Sequence, residues 1–590
     1  MAERKQDRLN GTNRSRDWWL GSGVYMSTVS SYGAKEVTPE VQHDFEVPQH
    51  LDYPNIPAWG LLDRAATLMP GRLACHYNNL EWSWEELNLD AMRAADMLRR
   101  LGIQPGDRVG ILLPNCPEYI IALNGIWRAG AIAVAISPLS VVDDVDKLLK
   151  LTDCKTVICL DMLAHLLTGD ARPHRTLYVS LRPQLPLFQQ LGYLLLRRKR
   201  TGSWWMNVSD RVGWFWDEMK ESSPIRTPRV VQDQQEAAYI LATGGTTGDP
   251  KAVTLSHGNL VCNAWQQYYW AGGVIGKESM LAVLPFFHSY GLSATVLSGT
   301  ACVASLYLDH RFNVRQVIRM IETHRPTIFH AVPAMLVALN SHLKKRSADF
   351  SSVKWVMSGG ASLPADVAQE FSGHTGGLVV EGYGLSEASP VTHAGPLNYP
   401  SENGTIGLQM PDTECRIVDS EDEITDVPDG VTGELLVRGP QVMMGYWKNE
   451  EATNKAIRDG WLYTGDLAQK LPNGFYRIME RKKDLIITSG FNVYPQDVEE
   501  ILLTCPGVSE AAVVGVPDKK RGEMVKAFLV MESKKLWNED KLMAWCREHL
   551  AAHKRPRVIE HCPDGLPRNF LGKLLRRKLR DAEPVEAENT

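Results

Sequence analysis

The feature that most constrains the fold is an apolar run, a helical stretch and a second apolar run in direct succession. Residues 109–113 form an apolar run that ends at Pro114, and the segment PEYIIALNGIWRAG follows from Pro117. A second run, AIAVAIS, starts at Ala131. Short apolar runs are typical of buried strands, so this spacing predicts a βαβ unit. We therefore expect a parallel sheet covered by helices.

A helix is predicted just before this unit. Ser83 and Glu86 have the spacing of a capping box, in which each residue satisfies a backbone N–H of the other. Apolar residues then recur at helical spacing from Leu87 to Leu98, and Gly102 stands where a C-terminal cap would be.

The chain is too long for one hydrophobic core. It has 590 residues, whereas single cores stop growing at roughly 250–300 residues. Residues 1–45 are polar and without period, which predicts a mobile leader. Residues from about 405 to 480 contain short strand patterns separated by turns and without intervening helices, which predicts a small β subdomain. After Asp484 the pattern reads strand, helix, strand, strand and helix, which predicts a separate α+β domain before a basic tail.

Composition and charge exclude several classes of protein. The net charge of −5 gives no reason to expect nucleic acid as a partner. The ten cysteines are scattered without a metal-ligand spacing, which fits reduced, packed thiols. The first residues lack the apolar core of a signal peptide, and no apolar run reaches the roughly 20 residues that a membrane span needs. We therefore expect a cytoplasmic protein.

Residues 181–218 depart from the alternating pattern. The apolar segment LPLFQQLGYLLLRRKR ends in four cations and is followed by the tryptophan-rich segments TGSWW and GWFW. This composition suits an element at a membrane interface, on the inner face of the membrane. A helical insertion packed on the body, with the cations as its solvated edge, is the simpler prediction, because one short segment anchors a protein weakly.

The strongest local motif is the segment AYILATGGTTGDPKAVTLSHGNL, residues 238–260. Glycines let backbone N–H groups approach an anion, while threonine hydroxyls and a lysine add donors and charge. It differs from a Walker A loop, because Asp249 and Pro250 separate the last glycine from the lysine. We predict that the segment binds a polyphosphate rather than forming a plain surface turn. The candidate residues are Thr243, Gly244, Gly245, Thr246, Thr247, Gly248 and Lys251.

This block resembles the phosphate loop of the adenylate-forming superfamily, which contains acyl-CoA synthetases, coumarate-CoA ligases, luciferases and peptide-synthetase adenylation domains. The TGGTTG sequence is most similar to that of bacterial long-chain fatty-acid-CoA ligases. Ala252 departs from the usual glycine, which should be tolerable if its φ is negative. The resemblance implies an AMP-binding domain over 46–482, a small mobile AMP-binding C-terminal domain over 483–582, and a tail over 583–590. The expected fold class is α/β with several subdomains, including a small β-barrel over about 405–480.

Further blocks follow in the order of that family: LPFFHSYGL, SGGASLP, EGYGLSEASP, GWLYTGDLA, RKKDLIITSGFNVYP and LPRNFLGKLLRRKLR. Ser289 stands where amino-acid-activating domains have an aspartate, which argues against an amino-acid substrate. The resemblance implies catalytic roles for Lys573, His288 and Glu387, with Lys483 as a hinge. It implies nucleotide contacts by Gly359, Gly360, Ala361, Tyr383, Gly384, Ser386, Asp466 and Arg481. It also implies Mg²⁺ held by Glu387 and Thr243.

By resemblance, the expected activity is a two-step ligase reaction with ATP and coenzyme A as co-substrates. A carboxylic acid, expected to be a long-chain fatty acid, becomes acyl-AMP and is then transferred to coenzyme A. A medium-chain or aromatic acid, or a carrier protein as acceptor, stays open, as does a luciferase-like relative. A non-catalytic scaffold would lack the mechanistic residues, and they are present. The acyl pocket is expected near 262–292 and 330–360, with Trp265, Phe287, Phe329 and Met335 in its wall.

Overall fold

The computed structural model describes residues 47–206, 208–225, 233–243, 251–398, 402, 404–518, 520–568 and 574–580. The predicted leader and tail lie outside these residues. In the described ranges the chain forms two large sheets, a smaller antiparallel sheet and a C-terminal sheet. The predicted class, a large N-terminal α/β domain followed by a smaller domain, is confirmed.

The predicted βαβ unit is present in the first large sheet. Strand Arg108–Leu112, helix Pro117–Arg128 and strand Ile132–Ala135 follow one another, and the two strands pair in parallel. The sheet runs, in spatial order, through Gly445–Tyr446, Lys251–Ser256, Ala237–Thr243, Ile132–Ala135, Arg108–Leu112, Thr156–Leu160, Arg175–Val179 and Val212–Trp214. Gly445–Tyr446 and Lys251–Ser256 pair antiparallel at one edge.

The second large sheet carries three of the predicted site blocks, 284–292, 358–364 and 381–390. In spatial order its strands are Leu408–Gln409, Val391–Ala394, Leu378–Gly384, Trp355–Ser358, Ile328–Ala331, Ser279–Ala282, Ser305–Leu308, Leu73–Tyr77 and Leu80–Ser83. The strands between the two antiparallel ends of this sheet are parallel. Their carboxyl ends therefore meet at one edge, where open α/β sheets bind ligands.

Helices cover both large sheets. The predicted capping-box helix is Trp84–Arg100: Ser83 Oγ accepts from the Glu86 backbone N–H at 3.2 Å, and Gly102 follows with φ +91°. Other helices are Gly60–Leu68, Val142–Thr152, Leu187–Thr201, Phe215–Lys220, His257–Trp270, Ser298–Ala301, Val314–His324, Pro333–Leu343 and Ala365–Thr375. A π-helical turn spans Gly291–Leu297. The apolar faces of most of these elements form the main core, whereas helix Leu187–Thr201 buries only Tyr193 and Arg197.

The region of the predicted β subdomain forms an antiparallel sheet. Its strands are Glu414–Val418, Gly433–Arg438, Trp461–Lys470, Ile457–Arg458 and Tyr476–Arg481. A short helix, Glu450–Ala456, interrupts the strands, so the prediction of strands without intervening helices is wrong there. Asn449 caps that helix by accepting the Ala452 N–H, a local signal that the strand pattern obscured.

The C-terminal region has its own core. Strands Ile486–Thr488, Phe491–Val493, Val508–Asp518 and Gly522–Met531 pair antiparallel, and Val558–His561 joins in parallel. Helices Pro495–Leu503 and Glu539–His549 pack their apolar sides into this core, and Arg576–Arg580 follows. The predicted order of strands and helices is confirmed for this region.

Two expectations from composition can be compared with the structure. All ten cysteines are free thiols, as predicted. Among the described residues, every helix is too short or too polar to cross a bilayer.

Candidate functional site

The site is built where parallel strands end. Strands Ser279–Ala282, Trp355–Ser358 and Leu378–Gly384 belong to one sheet, and the blocks 284–292, 358–364 and 381–390 follow or end them. Sheet order therefore explains why segments far apart in sequence meet.

Side-chain contacts join these three blocks. The hydroxyls of Ser289 and Ser386 share a hydrogen bond of 3.1 Å, and the Tyr290 hydroxyl donates to the Met357 carbonyl at 2.9 Å. His288 accepts the Tyr290 N–H at its Nδ1, 3.3 Å away. The structure thus brings His288 and Ser386 into the same part of the molecule.

Steric contacts explain why glycine stands at two positions in these blocks. A Cβ on Gly384 would lie 1.9 Å from the Pro390 carbonyl oxygen, and one on Gly359 would lie 3.1 Å from the Tyr290 ring. Gly360 follows with φ +82°, and Ala361 is half-buried beside it. The glycines therefore let the blocks pack closely and leave room at the edge of the sheet.

The phosphate-loop candidate connects two paired strands. Thr243 ends one strand and Lys251 begins the next; they are direct partners, and Thr243 Oγ1 donates to the Lys251 carbonyl at 3.2 Å. The candidates Gly244, Gly245, Thr246, Thr247 and Gly248 lie outside the described residues. Ala252 is a paired strand residue without positive φ, so the condition for tolerating its methyl group is met.

A tyrosine connects the lysine of this segment to the glutamate of another. The Lys251 Nζ lies 5.0 Å from the centre of the Tyr446 ring, and the Tyr446 hydroxyl donates to Glu387 Oε1 at 2.9 Å. Burial, and then the Glu387 carboxylate, raise the pKa of Tyr446, which keeps its proton available for this bond. A cation near the ring and a carboxylate at the hydroxyl thus both interact with one tyrosine.

A second network joins residues from three separate segments of the chain. The Tyr383 hydroxyl donates to Asp466 Oδ2 at 2.5 Å, and Arg481 Nε lies 2.7 Å from Asp466 Oδ1. Asp466 is buried and pairs with Arg481 across adjacent antiparallel strands. Burial, and then the Asp466 carboxylate, raise the pKa of Tyr383. Three residues predicted to contact the nucleotide therefore form one connected group.

The matches with known proteins agree with this geometry. Residues 62–447 match the model of the AMP-binding enzyme family, and residues 497–573 match its C-terminal domain. This protein belongs to the AMP-binding enzyme family. A long-chain-fatty-acid–CoA ligase from Bacillus subtilis (strain 168) is 35% identical over 91% of this chain and 96% of its own. A feruloyl-CoA synthase from Amycolatopsis sp. is 32% identical over 88% and 97%.

A solved structure extends the similarity to three dimensions. The o-succinylbenzoate CoA synthetase from Bacillus subtilis, in complex with an acyl-adenylate intermediate, has a TM-score of 0.74 and 28% identity. The match covers 89% of this chain and 98% of that one.

The family's C-terminal residues are only partly described. Lys483 lies in an exposed turn, Lys482–Asp484, between the last strand of the antiparallel sheet and the first strand of the C-terminal domain. Lys573 lies outside the described residues. Three residues further on, Arg576 forms ion pairs with Glu499 and, at 3.6 Å, with Glu480. Arg576 therefore bridges the two sides of the turn.

The donors present fit a magnesium ion bound together with phosphates. Within the described ranges, no group of three or more His, Cys, Asp or Glu residues could hold a metal ion. Glu387 uses one oxygen for Tyr446 and is half-buried. Mg²⁺ usually takes one or two carboxylates and completes its shell with substrate phosphates and water, so Glu387 and the Thr243 hydroxyl are a suitable donor set.

An apolar cavity lies behind the site blocks. Its wall includes Trp270, Met280, Ile328, Trp355 and Met357, with His330 among them. The His330 ring meets the Tyr290 ring edge to face at 5.9 Å, which links the cavity to block 284–292. Burial lowers the pKa of His330 to about 4, so the cavity wall is uncharged at neutral pH.

Four residues expected in the acyl pocket pack in hydrophobic clusters of the two large sheets. Phe329 and Met335 pack in the core of the second large sheet, whereas Trp265 and Phe287 pack against the main core. The ranges 262–292 and 330–360 also supply wall residues of the small cavity. The position of the acyl pocket and its wall residues stays a prediction.

Tyr446 is the candidate residue that sequence reasoning missed. It follows Gly445 in a short strand that pairs with Lys251–Ser256, and it is 59 positions from Glu387. No spacing rule connects residues that far apart. The available signal was an aromatic residue after a glycine in the segment MMGYW, which is too common to indicate a site.

Proposed function

We propose that this protein is an ATP-dependent, AMP-forming ligase that joins a long-chain fatty acid to coenzyme A. The observation that carries the proposal is the meeting of Tyr383, Asp466 and Arg481 with Glu387, Tyr446 and Lys251. Burial lowers the pKa of the Arg481 guanidinium, but Asp466, Tyr383 and the Glu387 carboxylate outweigh burial and raise this pKa, so the two groups are close to each other. A site with one carboxylate for the ribose hydroxyls, one aromatic ring for the base and separate groups for the phosphates fits a nucleoside triphosphate.

In the first step the acid's carboxylate attacks the α-phosphorus of ATP, and pyrophosphate leaves. Two anions must meet while charge builds on phosphate oxygens, so catalysis consists mainly of positioning and charge stabilisation. Lys573 offsets the charge of the carboxylate and the α-phosphate. The loop 243–251 binds the departing pyrophosphate through backbone N–H groups, threonine hydroxyls and Lys251.

The remaining groups hold the adenosine and the α-phosphate. Tyr383 stacks on adenine, with Gly359, Gly360, Ala361 and Gly384 leaving space for the ring. Asp466 and Arg481 bind the ribose hydroxyls, and Ser386 donates to the α-phosphate. His288 closes over the acyl carboxylate. Glu387 and Thr243 would hold Mg²⁺, which would supply positive charge to the phosphates.

In the second step the thiol of coenzyme A displaces AMP from the acyl group. This step needs a different arrangement, in which the domain 483–582 turns about Lys483, withdraws Lys573 and opens a path for the pantetheine arm. A short exposed turn between two domains is a suitable hinge. The domain limits, 46–482 and 483–582, are part of this proposal.

The long-chain acid is supported by the relative from Bacillus subtilis. An aromatic acid is the second candidate, since a feruloyl-CoA synthase is also a relative. An amino acid is disfavoured because Ser289, an uncharged residue bonded to Ser386, offers no carboxylate to a substrate ammonium. We expect the protein in the cytoplasm, with peripheral contact to the inner face of a membrane.

The proposal is tested by measuring AMP release by the purified protein with Mg-ATP and oleate, with and without coenzyme A. Octanoate, coumarate and an amino-acid mixture serve as competing acids. Turnover that depends on coenzyme A and is strongest with oleate supports the proposal. Pyrophosphate exchange without any response to coenzyme A would instead favour a carrier protein as acceptor, and silence with every acid would favour a scaffold.

A further inference from the structure

Helix Leu187–Thr201 is attached to the domain by polar residues rather than by its apolar ones. Its buried residues are Tyr193 and Arg197, which lie four apart on one face. The Tyr193 hydroxyl donates to Asp161 Oδ1, and Arg197 Nη1 lies 2.9 Å from Asp161 Oδ2. Arg197 also donates to the Trp204 carbonyl. These buried bonds fix the helix in one orientation on the body.

That orientation turns the apolar side chains toward solvent. Leu187 is 82% exposed, Phe188 78% and Leu191 62%. Leu187, Leu191 and Leu195 are four residues apart and form one stripe, with Phe188 and Leu196 beside it. We name these five residues the lipid face. A surface helix normally buries its apolar stripe, so an exposed stripe marks a surface that contacts something else.

Cations and tryptophans border the lipid face. Arg198, Lys199 and Arg200 are exposed in the last helical turn. In the part of the chain that the structure describes, no carboxylate forms an ion pair with any of them. The Arg198 guanidinium lies 4.5 Å from the centre of the Trp204 ring, and Trp205 is 76% exposed. Leucines and phenylalanine beside free cations and tryptophan are typical of helices at a lipid interface.

We infer that the lipid face rests on an anionic bilayer surface, with the helix parallel to the membrane plane. The apolar side chains enter the boundary between headgroups and acyl chains, and cations 198–200 contact anionic headgroups. A second copy of the chain is the competing occupant of the lipid face, and it would appear as a dimer in solution. The inference rests on the proposed function in one respect only: the same surface would supply a fatty acid substrate.

Vesicle co-sedimentation of the full-length protein tests the inference. One set of vesicles contains phosphatidylglycerol and phosphatidylcholine, and the other contains phosphatidylcholine alone. We expect binding to the first set that weakens with salt and is much weaker in the second. The variant Leu191→Gln/Leu195→Gln should reduce vesicle binding at least about tenfold, since both side chains are exposed and their loss leaves the core intact. Lys199→Glu/Arg200→Glu should reduce it by about tenfold or more.

A matched control tests whether removing any two exposed apolar side chains reduces vesicle binding. Ile424→Gln/Val431→Gln also removes two exposed apolar residues, but in the antiparallel-sheet region, and should bind vesicles like the unmodified protein. Equal binding by all variants, equal binding to both vesicle types, or no binding at all would overturn the inference. So would a dimer in light scattering that Leu191→Gln/Leu195→Gln converts to monomer, because a second copy would then cover the face. Vesicle binding needs neither ATP nor coenzyme A, so its failure and the failure of the proposed activity are distinguishable.

Discussion

The proposed site has a nucleotide side, at Tyr383, Asp466 and Arg481, and a C-terminal side, at the turn around Lys483. Different interactions hold each side together. On the nucleotide side, the buried Asp466 accepts a hydrogen bond from Tyr383. Asp466 also forms an ion pair with Arg481, its partner on the adjacent antiparallel strand. On the C-terminal side, Arg576 pairs with Glu480 at 3.6 Å across the turn at Lys483, and Arg580 pairs with Asp484 of that turn at 3.1 Å. Strand pairing fixes one geometry, whereas ion pairs can be exchanged without unfolding either domain.

This difference matches the two steps of the proposed reaction. Adenosine must stay bound while the groups around the α-phosphate and acyl carbon change. A preorganised binding side with an exchangeable catalytic side meets both needs. If the comparison is correct, substitutions on the nucleotide side should affect both half-reactions, and substitutions on the C-terminal side should separate them.

The largest effect is expected for Lys573→Ala. Removing one preorganised charge from the α-phosphate should slow adenylation by about a hundredfold or more, yet spare thioester formation from supplied acyl-AMP. Pyrophosphate exchange and acyl-CoA formation measure the two steps separately. Lys578→Ala, an exposed lysine of the same basic segment, is the matched control and should change neither. Equal loss in both steps would contradict the assignment of Lys573.

Asp466→Ala is expected to have the next largest effect, and on both steps. It removes a ribose ligand and leaves Arg481 without its buried carboxylate, so the KM for ATP should rise at least about tenfold. Tyr383→Phe keeps the ring and removes one hydrogen bond, which should raise this KM by only about threefold. ATP titrations of both variants measure the contrast. A larger defect in Tyr383→Phe than in Asp466→Ala would show that the tyrosine hydroxyl, rather than the carboxylate, binds the nucleotide.

Lys483→Pro should act on one step by a smaller factor. Proline fixes φ near −65° and restricts the preceding residue, so it should hinder rotation about the turn. We expect thioester formation to slow about tenfold while adenylation changes little. Lys483→Ala keeps the backbone free and is the control for loss of charge. Matching losses in both steps would argue against a hinge at this position.

The contrast between the two sides also explains what the sequence could predict. The βαβ unit, the capping box at Ser83 and the order of strands and helices after Asp484 depend on neighbours in the chain, and all three are confirmed. The bond between Tyr446 and Glu387 depends on a strand that joins a distant sheet edge, and no local pattern encodes it. The inward-facing polar residues of helix Leu187–Thr201 were likewise hidden, because their partner Asp161 lies in another element.

The smallest expected effect concerns the exclusion of water from the nucleotide side. Glu381 accepts the Leu363 N–H at 3.3 Å, and burial raises the pKa of its carboxyl from 4.5 to about 8. The folded protein therefore binds a proton that the unfolded chain releases between these values, so stability falls as pH rises through this window. Glu381→Gln mimics the protonated carboxyl and should lose this dependence.

Between pH 5.5 and 8.5, the Tm of Glu381→Gln should therefore increase by about 1–2 °C relative to the Tm of the unmodified protein. Thermal melts at several pH values measure this difference. Glu532→Gln changes an exposed glutamate and should follow the unmodified protein throughout. Parallel curves for Glu381→Gln and the unmodified protein would mean that water reaches the Glu381 carboxyl. The nucleotide side would then be less dry than its packing indicates, and the contrast with the C-terminal side would rest on strand pairing alone.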